Sequence, residues 1–132
     1  MPEVNWLAVI AAAASAFVLG GLWYSKAMFL GAWQRASGLT DDQLQKGHPA
    51  VVFGGSFVLS LIAAAVFAMF LGPSPETGFA TAAGFAAGLC WVAASFGINY
   101  LFERKPFTLF LVNGGYHTVQ FTLYGLILGL WH

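Results

Sequence analysis

The sequence predicts an all-α integral membrane four-helix bundle with a short interfacial, amphipathic helix between its first two spans. Three observations carry this. Of the 132 residues, 59% are hydrophobic and only 8% charged, whereas a soluble domain has roughly a quarter charged. The apolar residues fall into four blocks, 6–24, 50–71, 79–102 and 107–131, each near the roughly 20 residues that cross hydrocarbon as a helix. All five Lys and Arg residues lie in the connections after the first and third blocks. A soluble bundle would need a water-facing polar stripe on every helix, and the first two blocks have none.

The length fits one membrane domain, residues 1–132. Zero net charge leaves no basic patch for nucleic acid. A single cysteine, Cys90, excludes a disulfide framework. The first block reads as a retained span rather than a cleaved signal, because its leader holds Glu3 and no basic residue.

In span one, Ala12, Ala16 and Gly20 form a row of small residues that lets another helix approach closely. Trp6 at its start and Trp23-Tyr24 at its end suit the interfacial belts where amphipathic rings settle. The long connection that follows opens with Phe29, Leu30 and Trp33 set against Lys26, Gln34 and Arg35, the pattern of a helix lying on the bilayer. Thr40-Asp41-Asp42-Gln43 then reads as a capping box, with two acids at a helix N-terminus. Gly47 ends that turn, and Pro49 starts span two.

Span two repeats Ser56, Ser60, Ala64, Ala68 and Gly72 at four-residue spacing, a second packing row. Its serine hydroxyls are expected to bond one turn back along their own helix. The short Gly72–Gly78 turn should make spans two and three antiparallel neighbours. In span three, Gly84 and Gly88 share a face with Trp91, Ser95 and Asn99 at 100° per residue. Pro106 suits the first position of helix four.

Helix four has three faces. Asn113, Tyr116, His117, Gln120 and Tyr124 are polar, Gly114, Thr118, Thr122, Gly125 and Gly129 are small, and Val119, Leu123, Leu126 and Leu130 are bulky and apolar. Polar groups at membrane depth need partners, so this face is expected to meet Ser95 and Asn99 of helix three. His117 is read as a neutral ring, donating from one nitrogen and accepting at the other. As a haem ligand it would need a second axial group; His48 and His132 are badly placed, so only a second copy of the chain supplies one. No span holds Asp, Glu, Lys or Arg. That disfavours carboxylate-driven exporters, and no acid lies beside His117 for a catalytic triad. Histidine and cysteine spacings do not suit zinc. The reading is therefore of a non-enzymatic protein without catalytic residues, metal or cofactor.

At Gly21-Leu-Trp-Tyr-Ser25, Phe29-Leu-Gly-Ala-Trp33, Arg104 and Asn113-Gly-Gly-Tyr-His117 the chain resembles the bacterial family catalogued as domain of unknown function 1761. Lys26 stands where that pattern leads one to expect proline. The resemblance implies a small multi-span membrane protein and picks out Trp23, Tyr24, Asn113, Tyr116 and His117 as one region.

The positive-inside rule puts the two basic connections in the cytoplasm and both termini outside a bacterial cytoplasmic membrane. Beyond the bilayer, the expected partners are further copies of the chain or another membrane protein. The polar candidates are Asn99, Asn113, Tyr116, His117, Gln120, Trp23 and Tyr24, expected to form a structural network in an accessory or scaffold protein. The alternatives are a channel or transporter for a small solute or ion, lined by the same face, and a cofactor-binding membrane subunit.

Overall fold

The computed structural model describes residues 4–45, 47 and 49–132, and all regular structure among them is helical. Glu3, Lys46 and His48, used in the sequence reading, lie outside the described residues. Helix α1 (Trp6–Trp23) begins where the Asn5 side chain accepts a hydrogen bond from the Ala8 amide at 3.2 Å, an N-cap. Helices α2 (Leu30–Ser37) and α3 (Asp41–Gln45) follow. The capping box forms as expected: the Thr40 amide donates to Gln43 Oε1 at 2.8 Å, and the Gln43 amide to Thr40 Oγ1 at 3.2 Å. Helix α4 (Pro49–Leu71) starts on its proline. The third long helix is continuous but changes pitch, running as α5 (Thr77–Ala86), a π-helical segment (Ala87–Ala93) and α6 (Ala94–Glu103). Helix α7 (Phe107–Leu130) is preceded by Pro106 as its N-cap, one position before the expected place.

Three helices among the described residues are long and apolar enough to cross a membrane: Trp6–Trp23, Pro49–Leu71 and Thr77–Glu103. Their outer surfaces confirm the environment. Val51, Leu59, Phe70, Leu101 and Phe102 are each more than two-thirds exposed, a surface that suits lipid and not water. The protein is a membrane protein. Helix α7, at 24 residues, is about 36 Å long. Its polar face makes it less apolar than the other three.

Helix α7 is also the hub. It packs along α5 and the π segment on one side and along α1 on the other, while α4 packs on α1 and only grazes α7. Spans two and three, expected to be antiparallel neighbours, make little direct helix-to-helix contact. One ring pair bridges them, Phe70 edge-on to Trp91, while Phe67 sits edge-on to Phe121 of α7. The α5–α7 seam is the tightest. A Cβ on Gly84 would fall onto the Phe121 carbonyl, and one on Gly125 onto the Ala80 carbonyl. Such backbone approach is what small-residue rows permit. On α1 the expected row delivers Ala12 and Ala16, both fully buried.

Helix α2 does not simply lie on the bilayer. It docks beneath α7, with Phe29 against Trp23 at 4.7 Å and Trp33 edge-on to Tyr24 at 5.8 Å between ring centres.

Candidate polar site

The polar face of α7 meets partners on every long helix, in two clusters. The deeper one starts at His117. Its Nδ1 lies 2.6 Å from Gln120 Oε1, one turn on along the same face. Gln120 Nε2 donates to the Tyr124 hydroxyl at 2.6 Å. Tyr124, fully buried, pairs with Ser60 Oγ of α4 at 2.5 Å, and Ser60 Oγ lies 3.4 Å from the Ala13 carbonyl of α1. With the Gln120 amide turned this way, its nitrogen donates to Tyr124 and its oxygen accepts a hydrogen from His117 Nδ1. The His117 ring is sandwiched, stacked on Phe96 at 4.9 Å and edge-on to Tyr116.

The shallower cluster lies near the basic connections. The Tyr24 hydroxyl donates to Asn113 Oδ1 at 2.5 Å, and Asn113 Nδ2 donates to the Tyr100 hydroxyl at 2.7 Å. The Trp23 indole donates to the Val112 carbonyl at 2.9 Å. Between the clusters, the Tyr116 hydroxyl donates to the Ala16 carbonyl at 2.9 Å. Trp23 and Tyr24, expected as interfacial anchors, thus also hydrogen-bond inward to α7. Their position at the end of α1 opposite the start of α7 turns both side chains towards that helix.

Asn99 is the correction on helix three. The residues that face α7 are Gly84, Gly88, Ala93, Gly97 and Tyr100. Their spacing is four, five, four and three, and the five falls inside the π segment. The extra residue advances the phase by about 100°. Trp91, Ser95 and Asn99 are thereby carried to the exposed outer face. Ser95 satisfies its hydroxyl on the Trp91 carbonyl at 2.6 Å. Tyr100 takes the place in the network that Asn99 was expected to fill.

Three participants escaped the sequence reading: Tyr100, Ser60, and Tyr124 as the junction between α7 and α4. Tyr100 was masked by the phase shift. Ser60 stood in a row that resembled ordinary packing, and its hydroxyl bridges helices instead of turning back on its own. Among the described residues no buried side-chain nitrogen or oxygen lacks a partner. No group of three or more His, Cys, Asp or Glu among them is placed to hold a metal ion.

The chain belongs to the family described as "Protein of unknown function (DUF1761)", which matches it over residues 7–129. No curated protein and no solved structure matches it.

Proposed function

We propose that this family member is a non-enzymatic accessory or scaffold protein of the bacterial cytoplasmic membrane, in which the polar face of α7 serves structure. In this reading α7 is the fourth span, both termini lie outside, and the chain assembles with further copies or with a partner membrane protein. The observation that carries it is the run of hydrogen bonds from His117 through Gln120 and Tyr124 to Ser60, with no buried side-chain nitrogen or oxygen among the described residues left without a partner. A conduction path or solute site presents free polar groups to a wet cavity. Tyr24 and Tyr116 wall one crevice and Tyr100 another, but His117, Gln120, Tyr124 and Ser60 line neither. Helix α4 supports an assembly role, since side chains at Gly54 and Gly55 would meet nothing of this chain within 4 Å, leaving room for another helix.

The test is His117→Leu in proteoliposomes. The expected outcome is a loss of about 1 kcal/mol of stability, seen as a lower Tm in detergent, with ion and proton leak equal to that of empty vesicles before and after the substitution. Wild-type flux that His117→Leu abolishes in a still-folded protein would replace this reading with transport. A visible absorbance band in the purified protein would replace it with cofactor binding.

A further inference from the structure

A crevice of about 570 Å³ opens between α1 and α4 at the end of the bundle that bears the basic connections. Its volume lies within the range of about 300–1,000 Å³ common to small-molecule sites. Phe17 and Phe53, edge-on at 6.0 Å, close its deep end, and Leu30 and Trp33 of α2 roof its mouth. Along α1 it runs from Tyr24 to Phe17, a depth of about 10 Å within one leaflet of about 15 Å. Its floor is Gly21, where a Cβ would meet nothing within 4 Å.

One polar group in this crevice is unspent. Ser15, Ser95, Thr118 and Thr122 all donate to a carbonyl three or four residues back. Tyr24 and Tyr116, which share the crevice wall, already donate to Asn113 and Ala16. Ser56 faces the crevice and, among the described residues, its hydroxyl has no partner. A hydroxyl at that depth in hydrocarbon is costly without an acceptor. The end where the crevice opens is also the basic one, with Lys26, Arg35, Arg104 and Lys105 against Asp41, Asp42 and Glu103.

We propose that this crevice holds one acyl chain of an anionic membrane glycerophospholipid, with an ester carbonyl accepting a hydrogen bond from Ser56 and the headgroup at the basic rim. The chain fills the slot over Gly21, and the Trp33 ring covers it. This inference rests on α1 and α4 being spans and is independent of the scaffold role.

Native mass spectrometry of the delipidated protein, titrated with phosphatidylglycerol or phosphatidylcholine, tests it. One phosphatidylglycerol per chain is expected, held about fivefold or more tighter than phosphatidylcholine. Gly21→Leu, whose Cβ would meet no atom within 4 Å and whose remaining carbons enter the slot, should weaken binding roughly tenfold or more. Ser56→Ala should weaken it about threefold, and Phe102→Leu, exposed on α6 away from the crevice, should leave it unchanged. Equal binding by Gly21→Leu and Phe102→Leu, or no preference for the anionic lipid, would overturn the proposal. So would a lipid-free dimer that Gly21→Leu converts to monomer, since a second copy would then occupy the slot. Should Gly21→Leu not fold, phosphatidylglycerol brominated on its acyl chain gives the same decision. Saturable quenching of wild-type fluorescence that Trp33→Phe removes supports the site, and quenching that never saturates rejects it.

Discussion

Gln120 has an amide that both accepts and donates, and here each half is used, towards His117 and towards Tyr124. Its neighbours can therefore be ranked by what their loss would strand. Tyr124→Phe removes the hydroxyl that joins α7 to α4 and leaves the buried Gln120 nitrogen and Ser60 oxygen short of a partner. We expect a cost of about 1–3 kcal/mol, read as a fall in Tm in detergent. The two asparagines make a sharper comparison. Asn113 is bonded at both ends of its amide, to Tyr24 and Tyr100, whereas Asn99 is exposed on the outer surface of α6. Asn113→Leu should cost about 2 kcal/mol, and Asn99→Leu should change Tm little or raise it. Equal losses from the two would mean that Asn99 does face inward and that the π segment is misplaced.

At the scale of elements, the legible and the illegible parts divide by mechanism. The limits of the long helices were readable to within a residue or two, because hydrocarbon thickness imposes a length that composition records. The Thr40–Gln43 box was readable because its chemistry is local. The three faces of α7 were readable because that helix keeps one pitch throughout. The inward face of helix three was not, since nothing in Ala87–Ala93 announces that its hydrogen bonds widen to π spacing, and a constant 100° step placed Asn99 where Tyr100 belongs. Nor does the Gly72–Gly78 turn reveal that α4 and α5 diverge, which depends on α5 finding a closer fit against α7. That fit carries a prediction of its own. Gly125→Val drives a branched side chain into the Ala80 backbone, and neither helix can yield without giving up the seam. The expected loss is at least about 3 kcal/mol, visible as aggregation or a failure to accumulate in the membrane. Gly54→Val, open to the surroundings, should be close to neutral for the isolated chain.

For the whole molecule, the organising fact is that the least apolar long helix is the most contacted one. Helix α7 carries the polar side chains, yet α1, α4 and α6 cover much of that face, and its most exposed apolar residues are Phe107, Leu130 and Leu111. A helix of this kind crosses a bilayer as part of a bundle rather than by its own hydropathy. The account of the polar network as internal scaffolding stands or falls with that crossing. It also requires the Arg104–Lys105 turn and the C-terminus to lie on opposite sides. Labelling of single cysteines by a membrane-impermeant maleimide in intact cells, with Cys90→Ala as background, measures this directly. The account predicts that cysteines at positions 74 and 132 react from outside, while one at 105 reacts only after permeabilisation. Reaction at 105 and 132 under the same condition would place both ends of α7 on one side and contradict it.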